Sequence, residues 1–298
     1  MERKKASDYP QELLYLLENF NHGFISRREF LDRAAKYAVG GLTAAALLEN
    51  LSPNYALGQQ IPATDPRIKA EYATAPSPQG NGNIRGYLAR PANATGKLPG
   101  IVIVHGASGL NPHIEDVARR FAAENYMAFA PDGNTTVGGN PEGTVPAGEA
   151  QLRKVDAAKL IEDFIAAARW VKSRSDCTGQ IAVLGFCYGG NVANTLAVRM
   201  PELNVAVPYY GTAPAAADVP KIKAAVLVHH GSLDTRLVSA WPAYEAALKE
   251  NKIRYEGYVY DKANHAFFND SGARYDEAAS KLSWQRTLAF LNKYLRTS

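Results

Sequence analysis

The chain has 298 residues, 46% hydrophobic and 21% charged, with 33 Lys+Arg against 29 Asp+Glu for a net charge of +4. That balance excludes a disordered chain, a collagen-like fibre and a polytopic membrane protein, and without a Lys/Arg-rich tract it argues against a nucleic-acid partner. Two cysteines exclude a disulfide scaffold and a Cys-rich zinc module.

Residues 1–60 differ from the rest. Residues 9–20, Tyr-Pro-Gln-Glu-Leu-Leu-Tyr-Leu-Leu-Glu-Asn-Phe, carry the spacing of a short amphipathic helix. Ser26-Arg27-Arg28-Glu29-Phe30-Leu31 follows, and then a charge-free run from Tyr37 to Leu48. That run is shorter than the roughly 20 apolar residues that span a bilayer, so an integral membrane protein is not expected. Twin arginines ahead of an Ala/Gly-rich run resemble a twin-arginine export signal, which implies a periplasmic protein. Asp32 departs from the Lys common in such signals, and Ala56-Leu57-Gly58 is only approximately a small-x-small cleavage site. The same residues also read as a helical arm, capped at Ser26, that stays docked on a cytoplasmic protein.

From Ile61 to Ser298 the body alternates strands and helices. The spacing predicts a buried strand at Gly100–His105, a helix over Pro112–Asn125 and a strand at Met127–Ala130. Residues 131–150 read as a long Gly/Pro/Asn-rich loop, and Gln151–Arg174 as a long helix. Strand Ile181–Gly185, a helix after Gly189, strands Val205–Tyr209 and Ala225–His229, helix Trp241–Asn251, strand Tyr255–Tyr260 and a helix over Tyr275–Tyr294 complete the series. Such alternation predicts an α/β fold with a mostly parallel sheet covered on both faces.

The stretch that carries chemistry is Gly185-Phe-Cys187-Tyr-Gly189, set between a strand and a helix. It has the form of a nucleophile elbow with cysteine in the place of serine. Glycines flank the nucleophile because the turn is too tight for side chains, and the helix N-terminus favours a thiolate. The N–H of Tyr188 then points where an oxyanion would form, and Ala107, after the first strong strand, supplies a second donor. A nucleophile needs a base and the base an orienting acid. Asp234, after strand Ala225–His229, and His265, after strand Tyr255–Tyr260, stand in the chain order of an α/β-hydrolase triad. Asp234 reads alternatively as a helix cap, and His265 as a loop histidine. His105, His113, His229 and His230 read as structural or pocket-lining. The chain has no H-x-x-H or H-E-x-x-H spacing, so no metal is expected. Cys177 and Cys187 lie at opposite ends of one strand, too far apart for a disulfide, and both are expected as free thiols. Tyr209, Tyr210 and Trp241 lie near strand ends and suit an aromatic substrate pocket or the core.

Gly185-Phe-Cys-Tyr-Gly-Gly190, Gly109-Leu-Asn-Pro-His-Ile-Glu-Asp-Val-Ala118, Ala130-Pro-Asp132 and His265-Ala-Phe267 together resemble the dienelactone hydrolase family over residues 70–296. The resemblance implies one α/β-hydrolase domain that cleaves small ester or lactone substrates without a cofactor, with the triad on Cys187, Asp234 and His265. Family members often carry a glutamate beside the oxyanion-hole donor, where it meets the resting thiol; here that position is Gly106. The departure leaves His265 as the only activator of the cysteine and widens the expected substrates from dienelactone to carboxylic esters. Two other readings stay open. The chain is a non-catalytic thiol or redox protein on a hydrolase fold, or it uses the same triad for acyl transfer or the cleavage of another bond.

Overall fold

Eight strands form one sheet in the computed structural model, which describes residues 5–21, 23–38, 42–139 and 150–296. Positions 39–41 of the charge-free run and 140–149 of the predicted long loop lie outside the described residues. The strands are β1 (Ile68–Ser77), β2 (Gly82–Pro91), β3 (Leu98–Val104), β4 (Met127–Pro131), β5 (Cys177–Phe186), β6 (Val205–Tyr209), β7 (Ala225–Gly231) and β8 (Tyr255–Tyr260). Their order is β1-β2-β4-β3-β5-β6-β7-β8. β1 pairs with β2 and β2 with β4 in antiparallel fashion, and every pairing from β4 to β8 is parallel.

The parallel part follows from composition. β3, β4 and β6, with β7 over Ala225–Val228, are runs of small and branched apolar residues, buried on both faces. Alternate residues of β3 feed two cores. Ile101 and Ile103 pack towards α5 (Pro112–Ala123) and α9 (Glu277–Leu295). Val102 and Val104 pack towards α6 (Ala157–Ser173), α7 (Tyr188–Arg199) and α8 (Thr235–Glu250). The β1–β2 hairpin goes unpredicted because the outer strand β1 is largely exposed and lacks an apolar run. The helix predicted from Gln151 is interrupted: residues 150–152 are helical, the chain turns over 153–156, and the long helix begins at Ala157, where the Asp156 carboxylate caps the Ala158 and Lys159 N–H groups. Helix α8 starts at Thr235 rather than Trp241 and carries Pro242 in its interior.

The N-terminal residues fold as an arm. It holds α1 (Gln11–Asn21), α2 (Arg27–Ala34), α3 (Ala44–Leu51) and the single turn α4 (Tyr55–Gly58). Leu13, Leu14, Leu17, Phe20, Phe30, Leu47 and Leu51 form its own apolar cluster, which also takes in Ala273 of the body. Ser26 and Glu29 make a reciprocal capping box, so Arg27 and Arg28 open a regular helix and stand exposed. The arm is tied down by Asn54, which donates its N–H to the Ser271 carbonyl at 2.7 Å, and by Arg120, which donates to the Gly58 carbonyl at 3.0 Å. Gly23 has φ +65°, and a Cβ there would collide with the Arg153 guanidinium. Among the described residues no helix is long and apolar enough to cross a membrane.

Phe30 is fully buried at the centre of the arm. Phe30→Ala should cost about 3–5 kcal/mol of arm packing. Limited proteolysis should then cut between Gly23 and Gly58 while the body persists; a protease-resistant variant would show that the arm is not held by this cluster.

Candidate active site

The elbow is set by backbone contact. Cys187 sits between β5 and α7 with φ 57° and ψ −113°, a conformation that costs a non-glycine residue energy and that tertiary structure must enforce. A Cβ on Gly185 would collide with the carbonyl of Gly189, and one on Gly189 with the carbonyl of Val104. The Cys187 N–H donates to the Tyr209 carbonyl at 3.1 Å, which fixes the turn against β6. Tyr188 is the first residue of α7, so its N–H has no intrahelical partner, and the residue lines the second cavity described below. The helix thus begins at Tyr188, one residue before the predicted Gly189.

Asp234 and His265 come from turns after β7 and β8. Asp234 occupies the N-cap position of α8, yet its carboxylate makes its short hydrogen bond to His265: Nδ1 donates to Oδ2 at 2.6 Å. Both are buried. Burial works to raise the Asp234 carboxyl, but the His265 hydrogen bond and the nearby Arg236 hold it below the usual carboxylate range. Burial by itself would lower the His265 imidazole. The Cys187 sulfur, Asp234 and Glu18 outweigh it, and the pKa is raised to about 10. His265 also keeps hydrogen-bonding company with the Cys187 thiol. The structure therefore brings the three predicted triad residues together, with the imidazole between carboxylate and sulfur.

Two cavities, of about 110 and 350 Å³, meet at this point, and Ala107, Cys187, Tyr210 and His265 line both. Ala107, the expected second oxyanion donor, thus lines the same two cavities as Cys187. The first cavity is walled by Ile114 and Phe186 of the body and by Leu17, Leu51 and Tyr55 of the arm, with Arg274 at its edge. The second is walled by Leu152, Val155 and Leu160, with Arg153 and Arg236.

Of the three aromatics assigned to a substrate pocket, only Tyr210 lines one; its ring lies 4.8 Å from that of His265. Tyr209 is fully buried under the sheet with its hydroxyl bonded to Thr287 at 2.8 Å. Trp241 packs over Gly257, where no side chain would fit beneath it. Both are core residues, because their strand and helix positions point away from the ends that frame the cavities. His105 is structural: its ring nitrogens meet the Gly106 carbonyl at 2.6 Å and the Gly133 N–H at 2.9 Å. His229 is fixed between Tyr260 and Thr287. His230 is buried, with its pKa pushed down to about 4. His113 lines the first cavity, its Nδ1 held by Asp270 at 3.0 Å. Cys177 is buried, and neither it nor Cys187 forms a disulfide. Glu18, absent from the predicted site, reaches His265 Nδ1 at 3.7 Å. The donor atoms of Glu18, Asp234 and His265 lie within 4.8 Å of one another. Because the shared Nδ1 is already committed to the Asp234 hydrogen bond, we read the three as an acid–base cluster.

A parallel sheet, an elbow between strand and helix, and an acid and a histidine on later strand ends define the α/β-hydrolase class. The dienelactone hydrolase family profile matches residues 84–295, and the chain belongs to that family. A second profile, described as YqhI-like, matches residues 1–36. A Salmonella typhimurium protein assigned by name as a carboxymethylenebutenolidase is 31% identical over 78% of this chain and 91% of its own length. An Escherichia coli K12 protein assigned as the hydrolase fragment YghX is 54% identical over 39% of this chain and 97% of its own length. The crystal structure of a Klebsiella pneumoniae protein assigned as a dienelactone hydrolase superposes with TM-score 0.67 at 29% identity, covering 76% of this chain and 100% of that one. The protein is accordingly a hydrolase of the dienelactone hydrolase type.

Gly106 does not have a left-handed φ, and a Cβ there meets only Phe186 O at 3.5 Å and Cys187 Cβ at 3.8 Å. A side chain is therefore tolerated, and a carboxylate would stand beside the sulfur and disfavour a thiolate. Gly106→Glu should slow iodoacetamide alkylation of Cys187 near neutral pH with the melting temperature unchanged. An unaltered alkylation profile in the folded variant would separate this position from the nucleophile.

Proposed function

We propose that the protein hydrolyses small carboxylic esters or lactones through a Cys187–His265–Asp234 triad and a thioester acyl-enzyme. The observation that carries this reading is the placement of His265 between a buried carboxylate at 2.6 Å and the elbow thiol, at the junction of two cavities. In the resting site the proton sits on His265 and the negative charge on Cys187. The thiolate attacks the carbonyl carbon, and the oxyanion is held by the N–H groups of Tyr188 and Ala107, each worth about 3–4 kcal/mol in comparable sites. The C–O bond breaks as His265 gives its proton to the leaving alkoxide. Neutral His265 next takes a proton from water, and the hydroxide attacks the thioester. The C–S bond breaks, the thiolate returns and the acid departs. Asp234 holds the ring with Nε2 towards the chemistry and steadies the imidazolium. Two cavities meeting at the sulfur leave room for an acyl group on one side and a leaving group on the other.

Cys187→Ala should lower turnover of p-nitrophenyl acetate by about a thousandfold or more, with the fold intact, and iodoacetamide should abolish wild-type turnover. Wild-type rates in the variant would remove the triad assignment. No turnover by the wild type on any short ester would favour the non-catalytic thiol reading.

We also propose that Ser26-Arg27-Arg28-Glu29-Phe30-Leu31 serves as a twin-arginine address. The exposure of both arginines on the docked arm supports it. Replacing both with Lys should hold the protein in the cytoplasm; an unchanged periplasmic fraction would overturn the address.

A further inference from the structure

Helix α1 lies over the site in a fixed register. Gln11, Tyr15 and Glu18 are four and then three positions apart, which puts them on one helix face. Each meets the catalytic turns. Gln11 Nε2 donates to Asn264 Oδ1 at 2.7 Å, next to His265 in the chain, and the Tyr15 hydroxyl donates to the Leu233 carbonyl at 2.9 Å, next to Asp234. Between these two anchors the Glu18 carboxylate approaches His265 Nδ1 at 3.7 Å with one oxygen and Arg274 Nη1 at 3.7 Å with the other. Its side chain is only 17% exposed, so solvent screens the contact weakly.

We infer that Glu18 is a second positioning carboxylate for His265, delivered by the N-terminal arm, so that the arm completes the catalytic machinery rather than merely covering it. The inference rests on the hydrolase reading above for what the proton on His265 is used for. The charges around the ring set its sign. Asp234 and Glu18 bring negative charge from α8 and α1, and Cys187 brings it from the elbow when ionised. Arg274, in the segment after His265, and Arg236, on α8, oppose them. His230 at the end of β7 stays neutral at physiological pH, and Tyr210 offers only its ring. With Asp234 already hydrogen-bonded, Glu18 adds a charge that favours the imidazolium and therefore delays its deprotonation as pH rises. This chain lacks the family's glutamate at position 106; Glu18 brings a carboxylate to the opposite member of the Cys–His pair.

The test uses the full chain and two readouts: the NMR titration of His265, which needs no substrate, and the basic limb of kcat/KM for an aliphatic ester, whose leaving alcohol needs the proton. Glu18→Gln should lower both by roughly one pH unit. Glu18→Asp, with the charge withdrawn by one methylene, should shift them less. Tyr15→Phe loses an arm anchor but no charge, and should lower the melting temperature without moving either pKa. An unmoved titration in folded Glu18→Gln, or an equal shift in Tyr15→Phe, would overturn the inference. Should Glu18→Gln fail to fold, Glu18→Asp decides, since no shift there overturns it as well. A titration that shifts in a wild-type background with no ester turnover would strike the hydrolase reading and leave the positioning role standing.

Discussion

Everything at the centre of this molecule depends on one close approach of backbone to backbone. β5 can turn into α7 within a single residue only because Gly185 and Gly189 leave room for the carbonyls that face them. Side chains at either position would push α7 away from β3, and Cys187 would lose the left-handed conformation that lifts its sulfur above the sheet. Three of the non-glycine residues with positive φ, Cys187, Tyr210 and Ala266, line the same cavity. Strain is concentrated at the candidate site, and the two apolar cores on either side of the sheet hold it there.

Around that fixed centre the arm is secured by polar contacts as well as by its apolar cluster. Asp116 and Asp270 are buried with Arg120 between them, and Asp116 also accepts the Gln60 and Ile61 N–H groups. Asp270 in turn holds His113 in the cavity wall. Burying charges is costly unless they are paired and hydrogen-bonded, and here they are. The network links the end of the arm, α5 and the segment after His265, so the wall of the first cavity and the seat of the arm are one construction.

The parts of the site built by local rules were legible in the sequence. Cys187 announces itself through its flanking glycines, and Asp234 and His265 through their places just beyond apolar strands. The parallel core was legible for the same reason: β3, β4 and β6 are apolar runs, and β7 is apolar over Ala225–Val228. What escaped detection depends on partners far along the chain. β1 is exposed and gains its place only by pairing with β2. Tyr209 and Tyr210 are neighbours whose strand-end positions look alike, yet one ring points under the sheet and the other into the cavity. Trp241 looked like pocket lining until Gly257 was seen beneath it. Glu18 sits on an ordinary amphipathic helix, and nothing near it in sequence marks its partner. At Arg27 and Arg28 two patterns coincide in one segment, since the residues of the proposed address also open a helix through the capping box of Ser26 and Glu29.

The separations spanned by the arm also set an order of events. Gln11 meets Asn264 across 253 residues and Tyr15 meets Leu233 across 218. Loops of that size close late, and a chain emerging from the ribosome holds α1 to α3 long before their seat exists. Until that seat has been made, the leucines and Phe30 of the arm have one another to pack on. A truncated chain lacking the residues around Arg274 keeps the elbow but loses both part of the wall of the first cavity and a partner of Glu18 on the body.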